Sequence, residues 1–260
     1  MFLSNRIVLF TTLAFMFSWG YWGALIGMGL RVTPGSNVSH LPGLFGPALA
    51  AIITIAVFDG TKALRDLMAR SVRIPQNWGL AGLLILAPIL IAASWFVLQE
   101  VLGTPYPPVA DFWTYPGVPP GFGTWGFVLF VILMNGYGEE IGWRGFLLHS
   151  LHPHYGKLHA TLMVAAIWLI WHLPLFILNQ SMTDLIGPTV IGWIIGLVLG
   201  AFVLSWIYLS FENSILVVAV WHIAYNLSVA TPATSGIPAA IVSTAVMMMG
   251  IWVIWRWWRD

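Results

Sequence analysis

Eight apolar stretches, at about 7–30, 41–58, 78–102, 123–148, 159–179, 188–210, 214–230 and 237–255, take up most of a 260-residue chain. Each is close to the roughly 20 residues an α-helix needs to cross a bilayer. In lipid a backbone must satisfy its own polar groups, and a helix does this within one segment. The expected fold is all-α: a polytopic membrane protein with about eight transmembrane helices around a polar intramembrane cavity. Too little sequence remains for a soluble domain, and no internal repeat is evident, so 1–260 reads as one transmembrane domain. The first stretch is too long for the apolar core of a cleaved signal peptide and reads as a retained helix.

Charge sets the orientation. Only 7% of residues are charged, against about 25% in a soluble domain. Of the ten lysines and arginines, Arg144 lies inside a span. If the N-terminus is cytoplasmic, Arg6, Lys62, Arg65, Arg70, Arg73, Lys157, Arg256 and Arg259 also fall on that side, and only Arg31 falls outside. Basic residues mark the cytoplasmic face, so both termini are expected there, in a cell inner or plasma membrane, with the 103–122 loop external. The closing "WRWWRD" suits a headgroup-level anchor. Segment 60–76, "GTKALRDLMARSVRIPQ", reads as an amphipathic surface helix or as a basic loop that only sets topology. Gly192, Gly196 and Gly200, at four-residue spacing, predict a close-packing helix face. A net charge of +1 says nothing about nucleic acid and no basic run suggests it, so no nucleic-acid partner is expected. The absence of cysteine excludes thiol catalysis, disulfides and cysteine metal sites.

Against that background "GEEIGWRG", starting at Gly138, stands out. A charged side chain at a helix centre costs at least ~2.5–3.5 kcal/mol, and this stretch has three. Glu140 and Arg144 are four apart with the acid first, the favourable order for a helical ion pair. Glu139 is turned about 100° away and faces something else. His172 lies in "AAIWLIWHLPLF", and His222 and Asn226 share a helical face in "VVAVWHIAYN". At 1.5 Å of rise per residue, Glu139, His172 and Asn226 lie ~18–20 Å, and His222 ~12 Å, from the inner ends of their spans. Ionisable groups at one depth usually share a wet cavity. Such a set suits peptide hydrolysis. Glu139 can take a proton from a water polarised with help from His172, and His222 and Asn226 can donate to the oxyanion. No serine sits in a nucleophile elbow.

These residues resemble the CAAX prenyl endopeptidase and bacteriocin-processing (CPBP, Abi) family of intramembrane proteases. Its signature is two adjacent glutamates separated by three residues from an arginine, here Glu139, Glu140 and Arg144, followed by Gly145. Its second motif ends in a histidine, here His172, preceded four residues earlier by phenylalanine, where this chain has Trp168. Its third is a histidine and asparagine four apart, here His222 and Asn226. "GPALAAI" at 46–52 and the basic segment before Trp78 extend the likeness over about 40–230. The resemblance implies an intramembrane endopeptidase acting on a membrane-associated peptide or protein, such as a CAAX-type tail or a leader peptide. It implies Glu139 as general base and Glu140 paired with Arg144. No cofactor is expected. Zinc on the glutamate and histidines is the alternative, and there is no HExxH helix to hold it. Histidines 149, 152, 154 and 159 cluster in an inner loop and read as a solvated loop, with a metal site as the alternative. A non-catalytic immunity or scaffold protein of the same fold is the competing reading, and the complete set of motif residues argues against it.

Overall fold

The computed structural model describes residues 2–121 and 123–259. Met1, Asp260 and Phe122, the last residue of the 103–122 loop, lie outside the described residues. The chain is all-α. Its only extended pairing among the described residues is an isolated bridge between Val32 and Asn179. We number the principal helices α1 (Phe2–Gly27), α2 (Gly46–Phe58), α3 (Gly60–Ser71), α4 (Trp78–Leu102), α5 (begun by Gly123–Val131), α6 (His149–Trp171), α7 (Thr189–Ser210), α8 (Ile215–Ala230) and α9 (Ile237–Arg259). A single turn, Leu41–Leu44, leads into α2. After Val131, α5 continues through wide π-helical turns at Ile132–Tyr137 and Ile141–Leu148, around the short α segment Gly138–Glu140.

Among the described residues, six stretches are long and apolar enough to cross a membrane, so the chain is an integral membrane protein. One of the six, Gly123–Leu178, is 56 residues long. It is broken at Gly156, whose φ of 73° and ψ of 166° are not helical. The apolar helix Ile215–Ala230 is shorter. The bounds 41–58 and 78–102 read from the sequence match the structure. Segment 60–76 is a helix over Gly60–Ser71, with Leu67 and Arg70 buried.

Side-chain contacts gather the loops at two ends of the bundle. At one end Arg6 pairs with Asp59 (2.6 Å). There Arg70 donates to the hydroxyl of Tyr208 (2.6 Å), which meets His149 Nδ1 (3.1 Å), and Arg73 donates to the carbonyl of Glu212. Trp206 and Trp252 bring the end of α9 to this end too. At the opposite end Val32 N–H donates to the carbonyl of Leu178, Gly117 packs on His40, and the turn Val109–Phe112 meets the turn Pro232–Thr234. Arg6, Arg70 and Arg73 thus collect at the first end. The inner-loop histidines need one correction: 149, 152, 154 and 159 lie in helix on either side of the break at Gly156, and although His154 and His159 are exposed, His149 is half-buried against Tyr208.

The glycine expectation also needs correction. A Cβ on Gly192, Gly196 or Gly200 would meet nothing within 4 Å. Close packing is at glycines of α9 and α5 instead: a Cβ on Gly250 would come 2.6 Å from the carbonyl oxygen of Leu199. A Cβ on Gly138 would come 2.9 Å from the carbonyl oxygen of Leu44, and one on Gly142 would run into Pro47. These two glycines, four apart, let α5 lie backbone to backbone on α2. Gly136 does the same toward Ala219 of α8. Four-residue spacing alone does not say which of two glycine stripes is used.

Candidate active site

Close approach of α2, α5 and α8 leaves the two glutamates with almost no exposure: Glu139 is 2% and Glu140 0% exposed. Burying a charge is costly unless it is paired and hydrogen-bonded, and both carboxylates have partners. Arg144 Nη1 donates to Glu140 Oε1 at 2.9 Å and Oε2 at 3.1 Å. His222 Nδ1 lies 2.7 Å from Glu140 Oε1. The i,i+4 pair read from the sequence is therefore formed, with a histidine from α8 added to it. Glu139 faces α6, where the indole N–H of Trp168 donates to its Oε2 at 2.7 Å.

Trp168 touches most of the site. Its ring lies under the Arg144 guanidinium, 4.8 Å from centroid to Cζ, and edge-on to both His172 (5.3 Å) and His222 (5.8 Å). Its backbone carbonyl lies 2.7 Å from His172 Nδ1. A carbonyl can only accept, so Nδ1 of His172 carries the proton and Nε2 is the ring's remaining lone-pair nitrogen. By the same logic the bond to the Glu140 carboxylate leaves Nε2 as the available atom of His222. Asn226 donates from Nδ2 to Asn135 Oδ1 at 2.7 Å, which ties α8 to α5 one turn above Glu139.

Two loop residues complete the surroundings. Tyr115, 6% exposed, lies within hydrogen-bonding reach of Asn226. Burial raises its phenol above the ordinary value and Glu139 nearby adds to this, while Asn226 opposes it. His40 is buried, its ordinary value pushed down to about 4 by burial and by His172 nearby. The structure thus brings together Glu139, Glu140, Arg144, His172, His222 and Asn226. Among the described residues, no three His, Cys, Asp or Glu side chains form a set able to hold a metal ion.

Residues 121–228 match the family described as "Type II CAAX prenyl endopeptidase Rce1-like". The chain carries an Rce1-like segment. That segment spans all six residues of the constellation. A curated relative, "CAAX prenyl protease 2" of Methanococcus maripaludis, is 23% identical over 194 residues, covering 72% of this chain and 70% of the relative. The resemblance read from the motifs thus extends beyond them, and it supports a membrane protease.

Sequence reading missed four members of the site. Asn135 was legible in part, since it lies four residues before Glu139 and so shares its face. Trp168 was noticed only as a replacement for phenylalanine, and its indole N–H is what the replacement adds. His40 and Tyr115 carry no local signal, because long-range packing alone brings them to the site.

Proposed function

We propose that the chain is an intramembrane endopeptidase in which Glu139 activates water. The observation that carries this reading is a buried carboxylate, held through one oxygen by Trp168, beside two histidines and an asparagine from other helices. Glu139 Oε1 and His172 Nε2 hold the water. Glu139 takes its proton as the oxygen attacks the scissile carbonyl. The developing oxyanion receives hydrogen bonds from Asn226 Nδ2 and from His222. Glu139 then passes the proton to the departing amine, the C–N bond breaks, and an acid and an amine leave. Arg144 and Glu140 hold His222 in place.

The substrate class is a membrane-associated peptide or protein. A CAAX-type tail, suggested by the archaeal relative's name, and a leader peptide both meet that description. We favour a metal-free reaction. Asparagine suits an oxyanion donor better than a zinc ligand.

The test is turnover of one cleavable peptide in liposomes. Glu139→Gln keeps volume and hydrogen bonding but cannot take the proton, and should lose on the order of 10²–10⁴ in turnover. Asn226→Ala should lose on the order of 10²–10³. Full activity in Glu139→Gln would overturn the mechanism. Activity lost on chelation and restored by zinc would replace it with a metal-dependent one.

A further inference from the structure

The second π stretch of α5 ends at Leu148, and α6 takes over at His149. A π-helical amide reaches back five residues and an α-helical one four, so the change of ladder passes over one carbonyl. Here the amide of His149 bonds to the carbonyls of Arg144 and Phe146 and passes over that of Gly145 between them. Gly145 is buried. A Cβ on it would come 2.6 Å from the side chain of Ile215 and 3.1 Å from that of Leu67. A buried carbonyl away from water needs a donor from elsewhere.

That donor is Arg70 of α3. Its Nη1 donates to the Gly145 carbonyl at 2.8 Å and to the Tyr208 hydroxyl at 2.6 Å, and its Nε donates to Asp66 at 2.8 Å. The Tyr208 hydroxyl in turn lies 3.1 Å from His149 Nδ1. One network therefore grips the chain on both sides of the junction, at Gly145 and at His149. A basic residue that only marks the membrane surface keeps its charge in water, as the exposed Lys62 and Arg65 of the same helix do. Arg70 is 4% exposed and turns inward to a backbone carbonyl 75 residues away.

We propose that Arg70 is a positioning residue of the site: it pins the end of the π stretch at Gly145 and so fixes the rotation of Arg144, the next residue toward the site. Arg144 holds Glu140, and Glu140 holds His222. The line from the surface helix α3 to the oxyanion donors thus runs through one backbone carbonyl. Without its donor the carbonyl is stranded, and the helix regains a partner for it only by moving the junction along α5, which turns Arg144 relative to α6 and α8. The kinetic half of the test rests on the endopeptidase reading; the thermal half does not.

The full chain is purified as Arg70→Met, Arg70→Lys, Tyr208→Phe and Arg73→Met, with monodisperse elution as the check on folding. In liposomes with one cleavable peptide, Arg70→Met should lose about 10–100-fold in kcat per folded molecule, the scale of a misplaced catalytic group, with KM nearly unchanged. Arg70→Lys keeps one charged donor for the carbonyl and should regain most of that loss. Arg73→Met removes the same charge beside α3 from a side chain that meets only the carbonyl of Glu212, and should turn over as the wild type does. Wild-type kcat in Arg70→Met, or an equal loss in Arg73→Met, overturns the proposal. If Arg70→Met does not fold, Tyr208→Phe decides: it keeps the packing, loosens Arg70 and should lower kcat several-fold, and wild-type kcat there overturns the proposal. The thermal half needs no turnover. Melting of Arg144→Ala, of Tyr208→Phe and of the two combined should show a double loss smaller than the sum, because both changes release the same stretch of α5. Strictly additive losses would show that the network and the ion pair are independent, and would overturn the proposal whatever Glu139→Gln does to turnover.

Discussion

Removing Arg144 should expose how much of the fold depends on its charge. In the wild type Glu140 has three short contacts, two from Arg144 Nη1 and one from His222. Arg144→Ala leaves one, on a carboxylate with no exposure. Breaking a buried pair from one side costs about 3–5 kcal/mol. Loss of the guanidinium over Trp168 takes away about 0.5–2 kcal/mol of cation–π attraction, which pushes the total toward the upper end of that range. At about 2–4 °C per kcal/mol for a chain of this size, the melting temperature should fall by about 6–20 °C. The assay is thermal unfolding of purified protein in detergent. The informative comparison is Arg144→Ala combined with Glu140→Gln. Glutamine still accepts from His222 but carries no charge, so the pair should recover part of the stability that the single change loses. A wild-type melting temperature in Arg144→Ala would refute the argument. So would a double variant that adds the two losses, because the damage would then come from lost packing rather than a stranded charge.

Three further outcomes follow from the geometry. Trp168→Phe removes the N–H from Glu139 but keeps an aromatic face under Arg144. At about 1.5–3 kcal/mol for a hydrogen bond to a charged group, kcat should drop by about 10–100-fold with KM nearly unchanged, and steady-state kinetics that show wild-type kcat would remove Trp168 from the site's function. Gly142→Ala drives a methyl into Pro47 and should cost about 1–3 kcal/mol, whereas Gly196→Ala meets open space and should be neutral; equal folding yields for the two would sink the packing account. His40 is neutral in the fold, with its value lowered to about 4 from the ordinary 6.5. Its contribution is therefore complete above pH 6.5 and disappears as pH falls toward 4, a loss of up to about 3 kcal/mol. Thermal unfolding at pH 7 and pH 4.5 should show this destabilisation in the wild type and much less of it in His40→Asn.

The sequence made legible what depends on local pattern. Apolar length placed the helices, because a span must match the bilayer whatever it packs against. The i,i+4 spacing placed Arg144 on Glu140, because helix geometry alone brings them together. The partner of Glu139 was out of reach, since turning a side chain away from Arg144 does not say which helix it meets, and Trp168 comes from another. Gly138 and Gly142 have the same four-residue spacing as 192, 196 and 200, and only the tertiary arrangement puts them against α2 and the turn before it while leaving the other three open. The π-helical turns have no marker of spacing or composition and break the 3.6-residue rule on which the reading of α5 relied.

Those turns make the site depend on residue count as well as residue identity. A π turn arises when a helix accommodates one extra residue, and α5 has such turns on both sides of Gly138–Glu140. Deleting one residue between 132 and 148 would let the helix relax toward α geometry and swing whatever lies beyond by about 100°. Glu139 would leave Trp168, or Arg144 would leave Glu140, with every side chain of the constellation still present. A one-codon deletion there would abolish the site as surely as replacing its glutamates, while the same lesion at the half-buried Pro107 would shorten a loop and leave the helical register intact.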